Sequence, residues 1–324
     1  MSELLEKSDY KEILHSKRAN IYYLEKCRIL QKDGRVVYLT ETEKGNLYWN
    51  IPIANTTVIL LGNGTSITQA AVRLLCSAGV MVGFSGGGGT PLYAGTDIEW
   101  LSPQNEYRPT QYVQKWLAFW FDEKKRLCVA KEFQKRRCDF ITEIWSEDED
   151  MQEAGFHADD LEIENAIDSY RKKIETADSV TRLLTAEAEL TRKLYSYSAK
   201  STGISSFVRL HGNHEAQVDS KASDANDFLD NGNYLAYGQA ACTLWVLGIP
   251  HGFAVMHGKT RKGALVFDVA DLIKDAIVLP WSFIYASENK SAKEFRQQCL
   301  KKFTEHRTMD VLFEEVEKCC QIYS

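Results

Sequence analysis

Residues 254–273 read AVMHGKTRKGALVFDVADLI. Two apolar runs flank a basic turn, and each carries groups that burial disfavours. His257 ends the first run; Asp268 stands inside the second, and Asp271 follows three residues later. The β-branched and aromatic content of LVFDV predicts a strand, and the turn GKTRKG predicts a hairpin that folds His257 back beside Asp268. If helix takes over around Asp268, then Asp268 and Asp271 share one helix face, one turn apart. Two carboxylates that close repel, and one tends to stay protonated unless a cation bridges them.

The stretch lies in a part of the chain with helical grammar. In RLLTAEAELTRKLY (182–195), Leu183, Leu184, Leu190 and Leu194 form an apolar stripe, and Glu187 falls in the middle of it. Glu189 lies on the other side of that helix. One long helix or two cover 110–146, another covers about 158–177, a third runs from Asp178 or Ser179 to about 199, and a fourth from near Asp224 to Gly248. Ser291 and Glu294 form a capping-box pattern, and Thr308 is placed to cap the last helix.

The first hundred residues differ. RVVYLTE (35–41), TTVILLG (56–62) and GVMVGF (79–84) read as short strands. One helix interrupts them, with Ser66 as its N-cap and Gly79 as its stop. LSPQNEYRPTQY (101–112) breaks the pattern. The expected organisation is α+β in two domains: a β-rich N-terminal domain over 1–100, a linker at 101–109 and an α-helical C-terminal domain over 110–324.

Bulk properties exclude several classes. The chain has 324 residues and a net charge of −6, which argues against a uniformly basic nucleic-acid binder but not a local one. The basic stretch EKKRLCVAKEFQKRR (123–137) is a candidate path for a polyanion or a solvated helix face; the acidic stretch 146–165 reads as a solvated face. The 8 Cys include no C-x-x-C pair, so they read as reduced, packed thiols. The longest apolar run, 240–249, is too short to cross a bilayer, and the N-terminus lacks the pattern of a signal peptide, which predicts a cytosolic protein with no membrane partner. SGGGGTP (85–91) has no following Lys, so it is not a phosphate loop. His211 and His214 lie in a polar stretch and read as loop residues.

A His and several carboxylates together suit a divalent cation. Oxygen ligands favour Mg²⁺ or Mn²⁺, and the imidazole tilts the choice towards Mn²⁺. Lys259, Arg261 and Lys262 lie within five residues of His257, and cations beside an acidic metal site suit a phosphate or phosphodiester substrate. Each residue also has a structural reading: Glu187 as an ion pair with a neighbouring helix, His257 as a core histidine, the basic turn as a solvated hairpin tip. Spacing alone leaves these open. It also leaves open a metallohydrolase of a small phosphate compound and a non-catalytic DNA scaffold.

The order Glu, His, Asp, Asp, with MHGKTRKGALVFDVADL and an aromatic eight residues after Glu187, resembles the CRISPR-associated endonuclease and integrase family, the first protein of the Cas adaptation machinery. NIPIANTTVILLGNGTSITQAAV and VGFSGGGGTPLY look like its N-terminal domain in the subtype I-F form. The resemblance implies an N-terminal β-sandwich and a C-terminal α-helical catalytic domain. It implies Glu187, His257 and Asp268 as ligands of Mn²⁺ or Mg²⁺ and Asp271 as a further catalytic acid, with Lys259, Arg261 and Lys262 on the DNA backbone. It further implies a prokaryotic cytoplasmic homodimer acting on double-stranded and branched DNA. Its partner would be a second Cas protein, in this subtype fused to the interference helicase-nuclease. The activity would be insertion of short DNA fragments at a leader–repeat junction. Lys274 stands where many relatives carry an acid, and the glycine tract is longer than in most branches.

Overall fold

The structure, a computed structural model, describes residues 18, 20–42, 45–86, 98–103, 109–205, 207–210, 220–258 and 263–323. Among the described residues eight strands lie in the N-terminal part: β1 (Asn20–Leu24), β2 (Arg28–Lys32), β3 (Arg35–Thr42), β4 (Gly45–Ile51), β5 (Thr56–Leu61), β6 (Ser66–Ile67), β7 (Met81–Phe84) and β8 (Glu99–Leu101). They form two four-stranded sheets, in the orders β1-β5-β7-β8 and β4-β3-β2-β6. β2 and β3 are joined by Asp33-Gly34, both at positive φ, the backbone a two-residue hairpin turn needs.

β5 explains how the sheets meet the rest of the molecule. Its run TTVILL is buried throughout. Alternate side chains point to opposite faces. Ile59 and Leu61 pack into the core shared by the two sheets, while Val58 and Leu60 pack into the large helical core. The N-terminal β region is therefore covered on one side by helices.

The interrupting helix, α1 (Gln69–Ser77), starts later than the sequence predicts. Ser66 belongs to β6, paired with Arg28, and Thr68 is the N-cap, accepting from the Ala71 amide. Gly79, at φ 73°, ends the helix as expected.

Nine further helices follow: α2 (Gln111–Trp120), α3 (Glu123–Glu147), α4 (Glu149–Glu153), α5 (Leu161–Thr176), α6 (Val180–Ser201), α7 (Ser220–Val246), α8 (Ala264–Ser287), α9 (Ala292–Glu305) and α10 (Thr308–Tyr323) among the described residues. The 110–146 region is two helices, because the Asp122 side chain caps a new one by accepting from the Lys124 and Lys125 amides. The capping box at Ser291 and Glu294 is present. Thr308 does not cap; its hydroxyl is turned inward to donate to Gln239 Oε1.

The main correction concerns LVFDV, which is helix, not strand. It lies in the first turns of α8, of whose 24 residues 20 are buried. α8 is packed by α3, α6, α7, α9 and α10. A segment enclosed on every side has no partner strand to satisfy its amides, and a helix satisfies them internally. Such a helix loses its 3.6-residue polarity pattern, so the β-branched residues dominate the reading.

Two contacts fix α8 in place. Pro280 cannot donate to the carbonyl four residues earlier, and Trp145 Nε1 of α3 donates to that orphaned Ala276 oxygen at 3.0 Å. Gly232 of α7 lets the two helices approach closely, since a Cβ there would collide with Val278.

Candidate functional site

Asp268 sits in the second turn of α8 and is 1% exposed. Its Oδ2 accepts from the Val255 and Met256 amides at 2.7 and 3.0 Å. Its Oδ1 accepts from the His257 amide at 2.9 Å and contacts His257 Nδ1 at 2.8 Å. An ionised carboxylate has about four acceptor positions, and these four contacts use them. His257 and Asp268 thus meet as predicted, but the His is carried by an irregular segment clamped onto a helix, not by a hairpin strand. Because the carboxylate only accepts, Nδ1 carries the proton, and the free lone pair lies on Nε2. Burial lowers the His257 pKa, yet the Asp268 hydrogen bond and the Asp271 charge outweigh it and the net shift is upward.

Asp271 lies one turn further and is also 1% exposed. Its surroundings are different. Among the described residues no backbone amide or hydroxyl donates to either carboxylate oxygen. Its neighbours are charges: the Lys274 ammonium is ion-paired with Oδ1, and His257 Nδ1 lies 3.8 Å from Oδ2. Burial pushes the Asp271 pKa up, but Lys274, His257 and Arg137 outweigh it and hold the carboxyl below its ordinary value. The two acids therefore escape mutual repulsion by separate means, amides for one and an ammonium for the other. Lys274 is held above the usual lysine range, because the attraction of Asp271 overcomes burial.

Glu187 comes from α6, where Leu183, Leu190 and Leu194 are buried around it. Its side chain keeps 15% exposure. Oε1 accepts from Arg137 at 2.9 Å and from the Thr191 hydroxyl at 3.0 Å. The ion pair with a neighbouring helix, open from the sequence, is present. Burial raises the Glu187 pKa, Arg137 lowers it, and the net shift is downward.

Arg137 is the residue that sequence reasoning missed. It is fully buried in α3. Nε donates to Asp275 Oδ2 at 2.7 Å, and one terminal nitrogen pairs with the same oxygen. The other contacts run to Gln134 Oε1 at 3.0 Å, Glu187 Oε1 at 2.9 Å and the Thr191 hydroxyl at 3.1 Å. All five guanidinium N–H donors are thereby engaged. Burial disfavours the charge, but Asp275 and Glu187 raise the guanidinium pKa well above normal. Behind it, the Tyr170 hydroxyl donates to Gln134 Oε1 at 2.8 Å. The stretch 123–137 is therefore not one solvated face, since its last residue is buried in a polar bed under the site. Tyr237 of α7 adds a ring at the site, its hydroxyl pushed up to about 12 by burial.

The donor set fits a divalent cation. It contains an imidazole whose Nε2 carries the free lone pair, a buried carboxylate held by one ammonium and no amide, and Glu187 close enough for the two carboxylate charges to interact. Among the described residues no three His, Cys, Asp or Glu side chains already converge on one point. Lys274 supplies the compensating positive charge at Asp271. Lys259, Arg261 and Lys262 lie outside the described residues, as do His211, His214 and glycines 87–89 of the glycine tract. No helix is long and apolar enough to cross a membrane among the described residues.

Comparison with known proteins agrees with this architecture. The family model described as "CRISPR associated protein Cas1" matches residues 21–318. A CRISPR-associated endonuclease Cas1 from Pseudomonas aeruginosa (strain UCBPP-PA14) is 50% identical over 318 residues, 97% of this chain and 96% of that protein. The structure resembles that of TtCas1 in complex with DNA, with TM-score 0.69 at 19% identity over 93% of this chain and 91% of the other. It also resembles a casposase bound to integration product, with TM-score 0.67 at 13% identity over 93% and 90%. With a family match across most of its length and a half-identical relative of the same size, the chain belongs to the CRISPR-associated Cas1 family.

Proposed function

We propose that this chain is a divalent-metal-dependent DNA endonuclease and integrase that joins short DNA fragments to a CRISPR array by transesterification. The family membership and the names of the relatives support the nuclease and integrase reading. The observation that carries the metal reading is the contrast between the two acids. Asp271 is buried with no backbone amide on either oxygen, its Oδ1 held only by the Lys274 ammonium, whereas Asp268 is saturated by four contacts. The sequence reading made Asp268 a ligand and Asp271 the further acid. We propose the reverse assignment: Glu187, His257 and Asp271 hold Mn²⁺ or Mg²⁺, and Asp268 positions His257.

Asp268 holds the imidazole in one tautomer and presents Nε2 outward. Arg137 orients Glu187. Lys274, once released from Asp271, offers its ammonium to the phosphate oxygens. When bound, the metal ion supplies Lewis-acid polarisation of the phosphoryl group and lowers the pKa of the attacking hydroxyl. In the joining step a strand's 3′-hydroxyl gives up its proton and bonds to phosphorus as the bond to the leaving 3′-oxygen breaks, and that oxygen takes up a proton to end as a hydroxyl. The number of phosphodiesters is unchanged. Lys259, Arg261 and Lys262 hold the strand backbone. The working unit is a homodimer with a second Cas protein, fused to the helicase-nuclease in this subtype, as the resemblance implies.

The test uses Mn²⁺ electron paramagnetic resonance together with an integration assay that includes the partner protein. Asp271→Asn should lose both the bound-Mn²⁺ signal and product. Asp268→Asn should retain metal binding at reduced affinity. Retention of wild-type Mn²⁺ affinity by Asp271→Asn refutes the assignment.

A further inference from the structure

A hollow of about 440 Å³ opens between α7 and the turn that joins α8 to α9. Asp224, Asp227 and Asn231 line it from α7, and Asn289 and Lys290 from the turn. None of its lining residues belongs to the site at Asp271. Spacings of three and four residues put Asp224, Asp227 and Asn231 on one face of α7. Phe228, between them, stacks on Phe295 of α9 at 4.7 Å, which fixes that stretch of helix against its neighbour. Two observations distinguish the hollow from a solvated acidic face. Asn231 is 6% exposed, and its Oδ1 is buried without a hydrogen-bond partner. A buried amide oxygen left unpaired is costly, and in a native protein such a group points to a water or an ion. Burial also pushes the Asp224 carboxyl up, and among the described residues no charge offsets it. The ammonium in the lining, Lys290, pairs with Glu288 at 3.9 Å, an acid outside the hollow.

Two carboxylates and an amide oxygen are hard donors, the set that calcium takes together with waters. Magnesium demands a near-ideal octahedron and gives up its waters reluctantly, so a site built on one helix face suits it less. We propose that this hollow is a calcium site, with Asp227 and the Asn231 amide oxygen as direct ligands and Asp224 acting through water. The division follows from helix geometry. Asp227 and Asn231 are one turn apart, whereas Asp224 and Asn231 are separated by about 10 Å along the axis, too far to touch one ion together. A carboxylate has about four acceptor positions, so Asp227 can ligate while holding another contact. The ion would satisfy the Asn231 oxygen and tie α7 to the α8–α9 turn. The inference stands apart from the DNA-joining reading, because it uses none of the same residues.

The experiment titrates calcium chloride into the full-length protein, stripped with EDTA and carrying Asp271→Asn so that the candidate site contributes no heat. Calorimetry should show one calcium ion per chain, with a dissociation constant of about 1 mM or tighter. Calcium at a hundred times that constant should raise the melting temperature by about five degrees. Adding Asp224→Asn/Asp227→Asn, which keeps the shape of both side chains, should abolish the heat and the thermal gain together. Asn231→Leu, which removes the amide oxygen, should weaken calcium binding by about tenfold or more. Absence of calcium binding would overturn the site and leave a buried water as the partner of Asn231. So would a thermal gain that persists without Asp224 and Asp227, or an affinity unchanged by Asn231→Leu.

Discussion

Replacing Arg137 by Met separates the bed under the site from the site itself. The substitution keeps the length and apolar stem of the side chain but removes five donors. Asp275, 4% exposed, takes its hydrogen bonds from Arg137 through Nε and a terminal nitrogen, so the variant leaves a buried carboxylate without them. Among the described residues Glu187 keeps the Thr191 hydroxyl as its hydrogen-bond donor. Breaking a buried ion pair by deleting one partner costs about 3–5 kcal/mol. At roughly 2–4 °C per kcal/mol, a factor taken from somewhat shorter chains, the melting temperature should fall by about ten degrees. Calorimetry and urea unfolding measure this directly. The decisive arm is Arg137→Met/Asp275→Leu. Replacing both partners by apolar groups is often nearly neutral, so the double variant should recover about 2–4 kcal/mol of the single variant's loss. A melting temperature within two degrees of wild type for Arg137→Met would refute the reasoning, as would a double variant no better than the single.

Three further outcomes are expected. Asp148, the buried cap of α4, is held down to about 2: burial raises its pKa, but hydrogen bonds from His306, Lys302 and the Met151 amide outweigh that. A depressed carboxyl stabilises above its unfolded pKa of about 4 and loses that contribution as pH falls. The stability gap between wild type and Asp148→Asn should therefore be full at neutral pH and close between about pH 4 and about 2, and a gap independent of pH would contradict it. Burial pushes the Cys242 thiol up to about 12 and Cys138 to about 11, while Cys128 is exposed. Ellman's reagent should modify Cys128 in the native protein and the buried thiols only after unfolding, a pattern read by peptide mass spectrometry. Trp145→Phe removes the donor to the Ala276 carbonyl freed by Pro280, and should cost about 1–3 kcal/mol in urea unfolding.

The site was legible where a polar residue broke an apolar pattern. Glu187 among leucines, and Asp268 and Asp271 among β-branched residues, stood out for that reason. Arg137 did not, because it ends a run rich in Lys and Arg whose average reads as solvated. Yet Phe133, Arg137, Ile141 and Ile144 recur at helical spacing and are all buried, so the phase argument applied to Glu187 would have found it. The helical state of LVFDV was hidden for a different reason. Burial on every side erases the periodicity that separates helix from strand in a short apolar run. The contacts of Asp268 were hidden too, since three of them come from backbone amides of residues 255–257, and amides leave no mark in a sequence.

The enclosure of α8 has a consequence for how activity arises during synthesis. The helix carries both acids and anchors His257, and its neighbours come from α3, which starts at residue 123, through to α10, which ends at residue 323. A chain growing from its N-terminus can complete the β sheets early, but the Arg137 bed waits for Asp275 of α8, and α8 is enclosed only when α9 and α10 follow. Partly made or locally unfolded chains thus hold the same residues without the low-dielectric setting that gives them their chemistry. A site built this way is assembled by completion of the fold, not by any one segment of the chain.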